Sequence, residues 1–296
     1  MDGGKGISRQ AALTEVSLML AALFWGGNFA ATKYAADFLP PLPIVALRFT
    51  AGGFLLLLIL RLLEPRSRLK RRDLLPMALL GCFGLAGAQA GFTFGLSLTS
   101  AANAGLIFAT LPVWGMPLGA ALGLERPTRR GVLGVGLSLL GVGVVLGGGL
   151  GAEDASLAGD VLVLLAAMCA GAYAVFSMPL LERYSPLAVA AYPTIFGGPV
   201  LLILSSPYLL SPFWGDVGLG AWAAVAYAAV FATAFTFAAW QRGIRRVGAN
   251  RVLVYQYLIT LTAVVSGVVF FGEDLGPGKI LGGLVILAGV YLARRQ

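Results

Sequence analysis

The stretch Leu20-Ala21-Ala22-Leu23-Phe24-Trp25-Gly26-Gly27-Asn28-Phe29-Ala30-Ala31-Thr32, running on to Pro41-Leu42, returns 145 residues later without a gap. It reappears as Leu165-Ala166-Ala167-Met168-Cys169-Ala170-Gly171-Ala172-Tyr173-Ala174-Val175-Phe176-Ser177, running on to Pro186-Leu187. In this alignment Gly26 meets Gly171 and Thr32 meets Ser177. Farther along, Ala102-Asn103 meets Ala249-Asn250 at an offset of 147, and Glu125, Gly134 and Gly141 meet Glu273, Gly282 and Gly289 at 148. The chain reads as a duplication with halves 1–150 and 151–296. The first stretch is expected to belong to the mature fold and not to a cleaved leader, although Lys5 and Arg9 precede it.

Around these stretches the composition is far from that of a water-soluble domain: 58% of the 296 residues are hydrophobic and 11% charged, against roughly 45–50% and 25% in ordinary globular chains. The apolar residues fall into ten segments of about 20, the length an α-helix needs to cross a hydrocarbon core. They run 15–36, 43–63, 74–95, 103–124, 130–149, 159–179, 186–206, 219–240, 250–271 and 277–294. Each half holds five crossings, an odd number, so the second copy must enter the membrane from the opposite face. The expected fold is an all-α membrane protein of ten transmembrane helices in two inverted five-helix repeats, a plan that places a substrate path between the halves near the midplane.

The net charge of +8 is explained by position. Of 21 basic residues, 18 lie on one side of this topology: Lys5 and Arg9, the run Arg61, Arg66, Arg68, Lys70, Arg71 and Arg72, then Arg126, Arg129, Arg130, Arg183, Arg242, Arg245, Arg246, Arg251, Arg294 and Arg295. The positive-inside rule makes that side cytoplasmic, with both termini on it. The charges are an orientation signal toward the lipid bilayer of a cell inner membrane, not a nucleic-acid surface. No histidine occurs, which excludes a Ser-His-Asp triad and an imidazole proton relay. Cys82 and Cys169 lie in apolar runs and read as buried, inert thiols. No cofactor and no metal is expected. The glycines of Gly3-Gly4-Lys5 and of Gly141, Gly143 and Gly147 lack the strand context of a phosphate loop.

The residues also resemble a known family. Leu23-Phe24-Trp25-Gly26-Gly27-Asn28-Phe29, Leu47-Arg48-Phe49, Ala102-Asn103 with Pro112, and Leu124-Glu125-Arg126-Pro127 before a glycine-rich helix look like a first EamA repeat. Ala249-Asn250, Gly272-Glu273 and Gly282 through Gly289 look like the end of a second. The resemblance covers nearly the whole chain and is to the EamA family of the drug/metabolite transporter superfamily, closest to bacterial exporters of aromatic amino acids. It implies export of small metabolites. The second copy departs from the pattern where Ala170-Gly171-Ala172-Tyr173 replaces Trp25-Gly26-Gly27-Asn28.

Helical spacing selects candidate lining residues. Trp25, Asn28 and Thr32 fall on one stripe of segment 1, and a polar stripe is costly against lipid; Asn28 suits either a substrate contact or a bond to a neighbouring helix. Gln89 and Phe92 lie off the Gly87, Gly91, Gly95 stripe of segment 3, while Phe108, Thr110 and Trp114 occupy the first half of segment 4, where Pro112 and Pro117 remove backbone donors. In the second half the candidates are Tyr173, Tyr192, Trp240, Tyr255, Gln256 and Thr260, with Tyr257 beside them. Segments 5 and 10, nearly all Gly, Leu, Val and Ala, read as packing surfaces. Arg48, about 7.5 Å into segment 2, can snorkel outward, pair with Asp37 or attract a substrate carboxylate. Lys33 reads as interfacial, and no acid lies at mid-membrane.

The expected partner is a small solute, an aromatic or bulky neutral amino acid or similar metabolite, moved by alternating access. A multidrug or other metabolite exporter of the same fold is the alternative. A membrane-embedded lipid-modifying enzyme would want a cluster of catalytic groups, and a channel would want polar rings. A cytoplasm-dependent reporter is expected to work when fused at Gln296 or in the loop around Lys70, and to fail around Asp154. Signal at Asp154 would overturn the orientation and the inversion together.

Overall fold

The computed structural model describes residues 3–123, 128–148, 156–208, 210–247, 252 and 255–294, and they are helical, with no strand among them. In chain order the helices are α1 (Gly3–Ala36), α2 (Pro41–Leu63), α3 (Arg71–Leu98), α4 (Ala101–Ala121), α5 (Arg129–Gly148), α6 (Leu157–Leu181), α7 (Pro186–Tyr208), α8 (Leu219–Gly243), α9 (Tyr255–Phe271) and α10 (Pro277–Arg294). Seven of them, α1 (from Ala12), α2, α3, α4, α6, α7 and α8, are long and apolar enough to cross a membrane, and Leu258–Phe271 and Pro277–Gly289 are shorter apolar stretches. Leu13, Phe54, Leu62, Phe83, Leu140, Ile203, Phe270 and Leu284 are exposed around the bundle, a surface suited to lipid and not to water. Glu125, Arg126, Pro127, Glu153, Asp154, Ala249, Asn250 and Arg251 lie outside the described residues, as do the side chains of Lys5, Arg9, Pro112 and Tyr257.

Local chemistry sets the ends. Pro41 and Pro186 open α2 and α7, where the missing N–H costs nothing. The Ser100 and Ser185 hydroxyls accept from the N–H groups of Asn103 and Ala188 and so cap α4 and α7. Gly123 and Gly272, at φ 69° and 63°, end α4 and α9 in the left-handed region. Helical spacing puts Gly115, Gly119 and Gly123 on one stripe of segment 4, but Gly123 is a terminator and not the third member of a packing stripe. Helix α4 is also broken: it runs Ala101–Phe108, turns at Ala109-Thr110 and resumes over Leu111–Ala121 with proline in its first turn.

Two wide-turn segments were not legible in the sequence. Leu80–Gly87 within α3 and Ala228–Phe235 within α8 are π-helical, and they occupy the same position in the two halves, 148 residues apart. In the second, the Thr233 and Thr236 hydroxyls donate to the carbonyls of Ala228 and Phe231, five residues back.

The helices cross where glycine lets one backbone touch another. A Cβ on Gly26 of α1 would come within 2.8 Å of the Ile259 carbonyl on α9; one on Gly171 of α6 would come within 2.9 Å of the Leu111 carbonyl on α4. On α2, Gly52 faces the Ala229 carbonyl at 3.0 Å, and on α7, Gly197 faces the Gly81 carbonyl at 2.7 Å. In α5 and α10, Gly141 lies 2.8 Å from the Gly282 carbonyl and Gly289 lies 2.7 Å from the Gly134 carbonyl, again measured from a built Cβ. Each contact in the first half thus has its counterpart in the second, shifted by the offsets seen in the sequence. Gly87 has nothing within 4 Å, so only part of the glycine stripe of α3 packs. Cys82 is half-buried and Cys169 is exposed on the bundle surface, which corrects the expectation that both thiols are buried. Cys169 sits on α6 among exposed apolar neighbours such as Leu165 and Phe176.

Apolar side chains fill two large clusters, beside a small one of Ala35, Leu39, Ile44 and Val225. One gathers Phe49, Leu56, Met77, Leu85, Tyr192, Leu201 and Phe237; the other gathers Phe29, Phe92, Ile107, Val113, Ile259 and Ile286. Trp25 packs against both.

Gly141→Ala puts a methyl group against the Gly282 carbonyl and the Ile286 N–H, an overpacking expected to cost about 1–3 kcal/mol. The thermal midpoint in detergent should fall, whereas Gly143→Ala, with nothing within 4 Å, should leave it unchanged or higher. Equal midpoints would show that the α5–α10 crossing does not support the fold.

Candidate functional site

Rings from five helices meet within the bundle. Trp25 of α1 meets Phe237 of α8 edge-on at 5.5 Å between centroids and Trp240 at 5.0 Å. One turn along α1, Phe29 meets Phe92 of α3 at 5.0 Å and Phe108 of α4 at 6.4 Å, and Phe92 meets Phe108 at 5.2 Å. Phe49 of α2 extends the first group, 6.3 Å from Phe237. Edge-to-face geometry of this kind matches the positive rim of one ring to the negative face of the next.

Polar groups are set among these rings, and several have no partner. On α1, Asn28 is 3% exposed and Thr32 2%, and neither Asn28 Oδ1 nor Thr32 Oγ1 has a hydrogen-bond partner. The same holds for Thr93 Oγ1, next to Phe92, and for the Tyr173 hydroxyl and Gln241 Oε1. A buried, unsatisfied polar atom is unusual in a native protein and calls for a partner outside the fold, a solute or water. Gln89 is half-buried three residues before Phe92. Gln256 and Thr260 lie on a buried face of α9 with Ala263, and the Thr260 hydroxyl is spent on the Gln256 carbonyl at 3.0 Å.

Not all the residues selected by spacing join this centre. The Trp114 indole N–H donates to the Thr110 hydroxyl at 3.1 Å, and its Cβ abuts Gly171 of α6. Tyr192 donates to the Ser67 carbonyl at 3.1 Å and Tyr255 to Glu15 Oε2 at 2.9 Å, so both hydroxyls are engaged at the end that carries the basic connections. Conversely, Phe29, Phe237, Gln241 and Thr93 belong to the centre and were not selected. Phe29 was legible, because positions 25, 28, 29 and 32 share one helical stripe.

Fixed charges gather at the two ends. At the end opposite the basic connections, Lys33 Nζ meets Glu273 Oε1 at 2.8 Å. The Glu273 carboxylate also accepts from the N–H groups of Ala101 and Ala102 at 2.7 and 2.8 Å, satisfying the first turn of α4 and its dipole. Beside it Asp160 accepts from the Thr99 hydroxyl and the Asn103 amide. Lys33 is therefore a tied cation and not a free interfacial one. At the basic end, Asp73 accepts from Arg183 at 2.8 Å and from the Tyr184 hydroxyl at 2.7 Å. Burial and that hydrogen bond raise the Tyr184 phenol above its ordinary range, so it stays a donor at neutral pH. Arg48 neither snorkels nor pairs with Asp37: it is 2% exposed, donates from Nε to Thr233 Oγ1 at 2.8 Å, and Asp37 is exposed to solvent.

A multi-pass helical membrane protein with rings and neutral polar groups at its centre and charges tied at its ends has the anatomy of a solute carrier. Comparison with known proteins gives the family. The model of the EamA-like transporter family matches residues 13–147 and again 157–295, and the chain belongs to that family. It is similar, at 29% identity over 95% of this chain and 93% of the relative, to a probable terminal-alkyne amino-acid exporter of Streptantibioticus cattleyicolor. It is 25% identical, over 93% and 92%, to a probable amino-acid metabolite efflux pump of Salmonella typhimurium. A protein of known crystal structure shares the fold, with a TM-score of 0.67 at 20% identity over 95% of this chain and 96% of that one.

Trp25→Ala removes a ring that touches both clusters and is expected to lower solute counterflow in liposomes by about tenfold. Tyr192→Phe, which loses only the bond to Ser67, should stay within about twofold of the parent. Equal losses would place the site away from the rings.

Proposed function

We propose that this protein exports small organic metabolites, above all aromatic and other bulky neutral amino acids, and that it is a carrier and not an enzyme. The observation that carries the reading is the ring system of Trp25, Phe29, Phe92, Phe108, Phe237 and Trp240 with the unpartnered oxygens of Asn28, Thr32 and Thr93 among it. Such a centre gains about 25 cal/mol per Å² from an apolar side chain and offers neutral hydrogen-bonding groups to a polar end. It has little to offset the desolvation of a phosphate or a second carboxylate. The exporter relatives are consistent with this class of substrate.

The mechanism we propose is alternating access between two inverted five-helix repeats, residues 1–150 and 151–296, in an inner membrane with both termini cytoplasmic. The paired glycine crossings and the two π-helical segments in matching positions support the inversion. Trp25, Asn28, Gln89, Phe92, Phe108, Tyr173, Trp240 and Gln256 then line the path, while Tyr192, Tyr255 and Trp114 border it. With no acid in the ring system, the solute gradient alone is expected to drive movement.

The test is counterflow in proteoliposomes with phenylalanine, tryptophan, leucine, glutamate and a sugar phosphate, without an imposed proton gradient. Phenylalanine, tryptophan and leucine should exchange and show trans-stimulation, which neither a channel nor an enzyme gives. Preference for glutamate or the sugar phosphate would overturn the substrate class, and strict dependence on a proton gradient would overturn the mechanism.

A further inference from the structure

Arg48 is a cation that the described residues leave buried in the bundle without a counter-charge. Its side chain is 2% exposed, and the ion pairs among the described residues, Lys33–Glu273, Arg72–Asp73 and Arg183–Asp73, do not include it. What holds it is neutral: Nε donates to Thr233 Oγ1 at 2.8 Å, and the guanidinium lies 5.2 Å from the centre of the Phe49 ring. Nη1 is buried and has no acceptor. A lone cation in such a setting is costly, and a fold that needed only to fill this space would use an apolar side chain.

The setting is built to aim the guanidinium. Thr233 lies in the π-helical segment of α8, and its own proton goes to the Ala228 carbonyl at 2.9 Å, which turns its lone pair to Arg48. Gly52 of α2 lets that threonine approach, since a Cβ there would stand 2.7 Å from its methyl group. With Nε fixed in this way, the Nη side of the fork is left for another acceptor. The aromatic centre is adjacent: Phe49 is 6.3 Å from Phe237, which meets Trp25 at 5.5 Å, and Thr233 and Phe237 are one turn apart on α8.

We propose that Arg48 is the carboxylate-binding residue of the substrate site. The Nη groups receive the single α-carboxylate of a neutral amino acid while its side chain lies among Trp25, Phe237 and Trp240. A guanidinium fork is matched to one carboxylate in a bidentate pair. Thr233 acts as a positioning residue. This proposal rests on the amino-acid reading given above.

The experiment is competition against labelled phenylalanine counterflow in proteoliposomes, using phenylalanine, phenylalaninamide and phenethylamine on the parent protein and on Arg48→Gln and Arg48→Lys. The parent should prefer phenylalanine over the amide and the amine by about tenfold or more. Arg48→Gln, which keeps a donor for Thr233, should bring the three competitors to within about threefold of one another, and Arg48→Lys should recover part of the preference. If Arg48→Gln does not elute as a folded protein, the parent's own competitor series and Arg48→Lys decide. A parent that carries phenylalanine without distinguishing its amide overturns this proposal alone, as does a folded Arg48→Gln that still distinguishes it. A parent that carries no amino acid overturns the functional reading, and this proposal with it.

Discussion

Backbone-to-backbone approach at glycine is the constraint on which this bundle depends. In lipid, the tails outside are as apolar as the side chains inside, so burial alone does not hold one helix to another; close packing and a few polar contacts must do it. At Gly26, Gly52, Gly141, Gly171, Gly197 and Gly289 a neighbouring carbonyl lies where a Cβ would stand, and a larger residue would force the helices apart. Because these contacts come in corresponding pairs, the two halves interlock: α1 lies on α9 and α6 on α4, while α2 meets the wide turns of α8 and α7 those of α3. The π-helical turns matter to the same end. They displace the carbonyls of Gly81 and Ala229 from ordinary α-helical register at the sites where the glycines dock.

The charges obey a separate logic. Carboxylates that enter the bundle are satisfied at its ends, Glu273 by the open N–H groups of α4 and by Lys33, and Asp73 by Arg183 and Tyr184. These sets tie α1, the α3–α4 corner and the α9–α10 corner at one end, and the α2–α3 and α6–α7 connections at the other. Both are formed in this structure. A carrier working by alternating access has to release one set at a time, and hydrogen-bonded groups at helix ends can exchange to water more cheaply than groups at mid-bundle.

Seven of the helical spans were legible because they rest on period and composition, which a single sequence displays directly, and one family model matching the chain twice agrees with the internal similarity. The inward stripe of α1 was legible for the same reason: Asn28 and Thr32 are buried as the spacing required. Pairings across the bundle were not. Nothing near Lys33 in the chain points to Glu273, and Arg48 finds Thr233 on a distant helix when a carboxylate, Asp37, stands closer in sequence. The wide turns escaped because a π-helix leaves no periodic mark over eight residues. Tyr192 and Tyr255 illustrate the converse: spacing placed them on helices that reach the centre, yet their hydroxyls, the groups that would matter to a ligand, are engaged at the basic end.

Where the two halves agree and where they differ sorts packing from chemistry. The glycines at the six crossings named above are kept in both copies, and in the aligned sequence Glu15 corresponds to Asp160 and Glu125 to Glu273. The residues at the centre are not. Under the same alignment Trp25 meets Ala170, Asn28 meets Tyr173, Phe29 meets Ala174, Lys33 meets Met178 and Arg48 meets Pro193. Packing of two similar copies favours like residues in like places, because each of the glycine contacts named above is made twice. An amino acid has no such symmetry: it offers one apolar side chain and one polar end, so a site that orients it needs rings on one side and a cation on the other, once each. The divergence of α1 from α6 and of α2 from α7 at these few positions is what the proposed binding of one asymmetric solute between two similar halves would ask of the chain.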